Sequence, residues 1–379
     1  MFRALNAYWS SLMKTIFRIR FIIFLVLFFI YLPVVQANIL INLLTWEGYA
    51  PAEQVRFFEQ LMTRKYSLPV HFNVTYVSSE SDYINAINNG EGDVIAPSHN
   101  IFKDYRYKLI DKQLILPINI KNIPNYTKIF PDLQYADYST IKGAVYSVPL
   151  VHGPYGLAYN SNLVQPEPDS WKVFWEPKFK GRYTINSDYS EVNIYITALA
   201  LGVRPKDLNN VSKLSNPVLV QKLTLLIKQA GNLWYGVDKA SDLEHNLIGA
   251  AWGFSFPALA KQGQVWKMAS PKEGTTRWID GHAISKNLAD KPLHKKIAED
   301  WINYTLSEAF QLKVIARGIA SAPVNITIKN QLTANEINQF HLNDEKYFSS
   351  MQILWPTLTK TQRSFMKVLW NKALTNANK

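Results

Sequence analysis

Four stretches of this 379-residue chain concentrate aromatic rings, three of them together with carboxylates: Trp46-Glu47-Gly48-Tyr49, Ser187-Asp188-Tyr189-Ser190-Glu191, Ala251-Trp252-Gly253-Phe254 and Trp278-Ile279-Asp280. Flat rings beside carboxylates suit an organic cation. Ammonium groups donate charge-assisted hydrogen bonds to the acids, and alkyl segments lie against indole faces with cation–π attraction. The same residues also admit a plainer role, each Trp in a core and each acid at a helix start. Asp188, for one, is placed to cap a helix opening near Ser190.

Other chemistries find less support. The chain has no cysteine, which excludes Cys nucleophiles, Cys-ligated metals, disulfides and lipidation at a lipobox Cys. It shows no G-x-G-x-x-G after a strand, no phosphate loop, no H-E-x-x-H and no G-x-S-x-G elbow. The seven histidines are scattered without ligand spacing, and only His99 and His152 fall in segments that could face a cleft. No catalytic residue, metal or cofactor is expected.

The elements that must position the aromatic stretches alternate. Residues 39–46 form a short apolar run read as a buried strand, and 51–66 carry Val55, Phe58, Leu61 and Met62 at helical spacing. Val70, Phe72, Val74 and Tyr76 alternate with polar residues at strand period. Ser79-Glu80-Ser81-Asp82 opens a helix to about 88, and 93–97 is a strand ending in a polar loop. Repeated β–α–β units imply a parallel or mixed sheet with helices on both faces, whose ligands sit beyond the carboxyl ends of the strands. Loops 46–49 and 98–101 stand at such ends. A second α/β body starts near 153, with strands near 182–186 and 248–254 and helices around 190–201 and 217–230; a helix at 292–307 packs on a core.

The amino terminus reads differently. Residues 1–37 carry Arg3, Lys14, Arg18 and Arg20 and no acid, run apolar from Phe21 to Val35 and end Val35-Gln36-Ala37. These are the parts of a secretory signal cleaved after Ala37; an uncleaved anchor competes, although the apolar run falls short of the about twenty residues a span needs. Cleavage lowers the net charge from +12 by four, to +8. Charge of that sign repels a polycation at long range, but salt screens fields beyond roughly 8–10 Å, so local carboxylates decide binding.

Residues 38–379 resemble bacterial periplasmic spermidine/putrescine-binding proteins, the solute receptors of polyamine ABC importers. The resemblance lies in TWEGYAP (45–51), GDVIAPS (92–98), YSVPLVHGPYGLAYN (146–160), SWKVFWEPKFKGR (170–182), SDYSEV (187–192), GAAWGFSFPALAKQG (249–263), PKEGTTRWIDGHAI (271–284) and IASAPVN (319–325), in family order. It implies a type II periplasmic binding protein of α/β class, two lobes closing on a ligand cleft by hinge motion, with crossovers near 149–153 and 276–280. After the signal peptide (1–37), lobe 1 would comprise 38–150 and 279–322, and lobe 2 would comprise 151–278 and 323–379.

The resemblance further implies a ligand site of Trp46, Tyr49, Trp252 and Trp278 with the carboxylates Asp188, Glu191 and Asp280. Asp280 would grip one amine, and Asp188 and Glu191 another. Three positions depart from the family: Gly48 stands where an acid is usual, leaving Glu47 one place early as a candidate; Asn100 or Ile101 replaces a cleft Tyr; and His152 replaces a Trp. The implied protein is a periplasmic, monomeric, non-catalytic receptor for a polyamine or similar organic amine, partnered by an inner-membrane ABC permease and by no nucleic acid. Rival readings keep the fold but take an opine-like amine or ferric ion, for which Tyr105 and Tyr107 are a weak basis. Others assign a ligand-reporting sensory role, or an exported hydrolase that would need a nucleophile–base pair in the cleft.

Overall fold

The computed structural model describes Met13, Phe17 and residues 38–340, 342–343 and 354–379. The leader expected over 1–37 lies outside them apart from those two residues. Strand β1 (Ile39–Thr45) is the apolar run, and β2 (Val70–Tyr76) pairs with it in parallel from Ile39↔Val70 to Thr45↔Tyr76. Between them α1 (Ala52–Tyr66) turns Val55, Phe58 and Met62 inward, at the spacing of one helical face. Helix α2 (Glu80–Asn89) starts where Asp82 accepts the Ser79 backbone N–H at 2.8 Å, and stops at Gly90 in the left-handed region. Strand β3 (Val94–Ile95) pairs with β1 on its other side.

The second body repeats the logic. Strand β4 (Val148–Asn160) leads to β5 (Tyr183–Asn186), α3 (Ser190–Ala200), α4 (Pro217–Lys228), β6 (Asn232–Trp234) and β7 (Ile248–Ala251). Strand β8 (Thr276–Ser285) then returns to the first body and is followed by α5 (Pro292–Thr305). The main strand order is β2-β1-β3-β8-β4-β7-β5-β6. The expected crossovers are therefore two long antiparallel strands rather than loops. Thr276–His282 of β8 pair with Val148–Tyr155 of β4, with a register shift between Asp280 and Gly281. At one end β8 adds to the first sheet through Ala283↔Ile95; at the other β4 adds to the second through Ala251↔Gly156. This is the two-lobe type II arrangement, its lobes joined by paired strands.

Two features of the carboxyl-terminal third matter for the cleft. Residues 323–331, grouped by the resemblance with the second lobe, pack on the first instead. Phe130 N donates to Val324 O at 3.1 Å, the Asn325 amide donates to Leu306 O at 2.8 Å, and the Thr327 hydroxyl donates to Glu308 at 3.0 Å. Buried Gln311 ties them down: its Oε1 accepts from Val324 N at 2.8 Å while its Nε2 donates to Leu150 O at 2.9 Å. Helix α6 (Lys360–Ala377), in contrast, packs on α3 and α4 of the second lobe. Its leading segment, Trp355 to Leu358, lies along the mouth of the cleft.

Candidate ligand-binding site

The first wall of the cleft is a tight turn at the end of β1. Tyr49 N donates to Trp46 O at 3.2 Å, and Gly48 takes φ +93°. A left-handed third residue closes such a turn with little strain only as glycine, and a Cβ here would lie 2.7 Å from the Ile319 side chain. Trp46 and Tyr49 are buried and face the cleft, whereas Glu47, at the outer corner, is exposed. Glu47, a candidate from the sequence, lines neither cavity described below. The physical reason is the turn.

The second wall is the β4–β8 ribbon. Trp278 sits opposite Gly153, and its indole lies so close over the backbone that a Cβ on residue 153 would be 2.8 Å from the ring. Its Nε1 donates to Pro154 O at 3.2 Å. Two residues on, Asp280 points to the same face, as strand period requires. The Tyr49 hydroxyl donates to Asp280 Oδ2 at 2.7 Å. Burial pushes the Asp280 carboxyl up to about 7 against that hydrogen bond.

Trp252 comes from the turn after β7. Buried Asp238 holds that turn by accepting from the backbone N–H groups of Trp252 (2.9 Å), Gly253 (3.2 Å) and Ser255 (3.0 Å) and from the Ser255 hydroxyl (2.6 Å). Trp252 meets Trp278 edge-on at 6.3 Å between ring centroids, Tyr189 at 5.5 Å and Trp355 at 5.3 Å. Edge-to-face contacts of this kind fix ring orientation.

These walls enclose a small cavity of about 50 Å³, lined by Trp46, Tyr49, Trp252, Trp278 and Asp280 among the sequence candidates. The structure adds Glu80, Ser98, Tyr189, Phe254 and Trp355. Glu80 is the most informative addition. It stands at the start of α2, is half-buried with its Oε2 shielded from solvent, and accepts from Ser98 N at 3.4 Å through Oε1. Its Oε2 has no hydrogen-bond partner among the described residues. Burial, and then the charge of Asp280, raise its pKa well above the ordinary carboxylate range. Two acids thus face one aromatic box. In the sequence Glu80 looked like a first-turn helix residue; only its place beside a cleft loop distinguishes it.

A wider cavity of about 330 Å³ adjoins the first through Glu80, Tyr189 and Trp355. It is lined by Asp188 and Glu191, and also by Asn100, Arg106 and Arg363. Asp188 Oδ2 accepts from Gly236 N at 2.6 Å rather than capping α3, while Glu191 is already bound to Arg363 at 2.5 Å. The four candidate acids that remained in the sequence reading after Tyr and Trp are thus separated: Asp280 lies in the aromatic box, Asp188 and Glu191 in the adjoining cavity, Glu47 outside.

His99 links the lobes. Its Nδ1 accepts from Ile279 N at 3.3 Å and its Nε2 lies 3.0 Å from Trp355 O, a pattern that requires the neutral ring with the proton on Nε2. Burial lowers its pKa to about 4, so the neutral ring persists at neutral pH. His152 is also buried, and its ring meets Phe130 at 6.1 Å on the first-lobe side rather than lining either cavity.

Residues 93–350 match the family model described as bacterial extracellular solute-binding protein. The chain belongs to that family. Among curated relatives, this solute-binding protein is 28% identical over 311 residues to the spermidine/putrescine-binding periplasmic protein 1 of Haemophilus influenzae, covering 76% of this chain and 80% of that one. It is 23% identical over 328 residues to the spermidine/putrescine-binding periplasmic protein of Escherichia coli, covering 81% and 90%. Among solved structures it superposes on the spermidine/putrescine ABC transporter substrate-binding protein of Streptococcus pneumoniae with a TM-score of 0.69 at 18% identity, covering 89% of this chain and 99% of that one. That likeness shows the two-lobe fold. No helix among the described residues is long and apolar enough to cross a membrane.

Proposed function

We propose that this solute-binding protein captures a polyamine-class organic cation, such as putrescine or spermidine, between its lobes and hands it to an inner-membrane ABC permease. One observation carries the reading. Asp280 and Glu80 converge on a cavity walled by Trp46, Tyr189, Trp252, Trp278 and Trp355, and one Glu80 oxygen has no donor among the described residues. A buried carboxylate oxygen needs a donor, and an alkylammonium supplies it while its methylenes pack on the rings. The names of the curated relatives point the same way.

Asp280 and Glu80 take one ammonium, with Tyr49 holding Asp280 in place. Asp188 faces the far end of the ligand from the wider cavity. Trp46, Trp252 and Trp278 enclose the alkyl chain. The site binds without bond-making and needs no cofactor. The mature protein works in the periplasm as a monomer, after cleavage following Ala37. Its first lobe comprises 38–150, 279–322 and the segment 323–331 that packs there, and its second comprises 151–278 and the carboxyl-terminal helix.

Calorimetric titration of the mature protein with putrescine and spermidine tests the proposal. Saturable 1:1 binding of either amine, lost on Asp280→Asn, is the expected result. No binding of either by a protein that melts cooperatively would overturn it.

A further inference from the structure

The wider cavity contains a cation supplied by the chain itself. Arg363, in the first turn of α6, reaches across to two acids. Its Nη1 donates to Glu191 Oε1 at 2.5 Å and its Nη2 to Asp104 Oδ2 at 2.9 Å. The guanidinium is held: its side chain is 19% exposed and that of Asp104 only 1%. Asp104 is further engaged by Arg106, whose Nε and Nη2 donate to its two oxygens at 3.0 and 2.9 Å. Glu191 and Asp104 are therefore already neutralised by arginines. Among the described residues lining the two cavities, the acids left for a ligand are Asp280 and Glu80 in the aromatic box and Asp188 in the adjoining cavity.

We infer that Arg363 is an internal selectivity charge that occupies the acid a third ammonium would need, so that the site takes diamines in preference to longer polyamines. This rests on the amine reading above. A diamine places one ammonium between Asp280 and Glu80 and the other toward Asp188. A triamine brings a further positive charge into the cavity walled by Arg363 and Arg106. To reach Glu191 it must displace a partly desolvated guanidinium, and without doing so it faces like charge. Selectivity here comes from a repulsive element as much as from an attractive one.

Titration of the mature protein with putrescine and with spermidine, in the wild type and in Arg363→Gln and Arg363→Lys, tests this. The wild type is expected to bind putrescine at least about tenfold more tightly than spermidine. Arg363→Gln frees Glu191, so spermidine affinity should rise about tenfold or more, and by clearly more than putrescine affinity. Arg363→Lys retains the charge and should retain the putrescine preference, which separates charge from shape. Wild-type binding of spermidine as tight as, or tighter than, that of putrescine would overturn the inference even if Arg363→Gln failed to fold. So would an unchanged ratio in an Arg363→Gln protein that melts normally. Absence of binding by both amines sinks the amine reading itself, and this inference with it; binding without preference sinks the inference alone.

Discussion

The Tyr49 hydroxyl donates to Asp280 across 231 positions of sequence, at 2.7 Å, and joins the turn after β1 to the ribbon between the lobes. The bond ties the carboxylate to the wall of the aromatic box formed by Trp46 and Tyr49. Both groups are buried, so the energetic weight of the pair is greatest when a cation completes it.

Replacing that acid should be costly for binding and not for folding. Removing one side of a buried ion pair costs about 3–5 kcal/mol, so Asp280→Asn is expected to weaken amine binding roughly a hundredfold or more. The ligand-free variant should melt at or above the wild-type temperature, because a desolvated carboxylate is gone. Titration calorimetry and thermal melts of both proteins check this. Unchanged affinity would remove Asp280 from the site.

The same carboxyl carries a pH signature. Its pKa rises on folding from 3.8 to about 7, so the folded state holds a proton that the unfolded chain releases. The stability associated with that proton is complete below about pH 4 and is lost as pH climbs through about 7. Ligand-free protein should therefore soften between those limits, and Asp280→Asn should flatten the slope. Amine affinity should run the other way, rising toward pH 7 and levelling above it, since the ammonium needs the ionised acid. Melting and titration series across pH 4.5–8 read both trends, and an Asp280→Asn slope equal to wild type would contradict them.

Glu80 and Glu47 make a matched pair for comparison. Glu80→Gln should weaken putrescine binding by at least about tenfold, because its Oε2 has no hydrogen-bond partner among the described residues. Glu47→Gln should leave it within about twofold, because the side chain is exposed beyond the Gly48 turn. Parallel titrations settle the ranking; the reverse order would return the site to the pattern the sequence suggested.

Two lobes joined by the β4–β8 ribbon and bridged by Trp355 should close on ligand and open without it. Small-angle scattering of the mature protein is expected to give a smaller radius of gyration with saturating putrescine than without. An identical radius under conditions where calorimetry shows saturation would argue against hinge closure.

The basic leader and the Val35-Gln36-Ala37 end predict a mature amino terminus at Asn38. Intact-mass analysis of protein from the envelope fraction should show it. A full-length species retained in the membrane pellet would favour an anchor.

Much of the architecture was legible along the chain because the signals are local. Apolar patterning marked β1, β2 and α1, and Ser79-Glu80-Ser81-Asp82 marked the start of α2. Helices expected at 190–201, 217–230 and 292–307 end one or two residues earlier in the structure, where termini are set by caps and packing. The aromatic words around Trp46, Trp252 and Trp278 could also be read, since rings clustered within a few residues of one another or of an acid are a local pattern. Tertiary structure alone decided which acids those rings enclose. Glu47 was turned away by one positive φ at Gly48, and Glu80, ordinary in its own helix, was brought to face Asp280 from another strand. Arg363 reached Glu191 over 172 positions. Periodicity and capping depend on neighbours within a turn or two of chain, and so they are written in the sequence. Which charge meets which depends on how two lobes and a carboxyl-terminal helix are stacked, and no short stretch of residues encodes that distance.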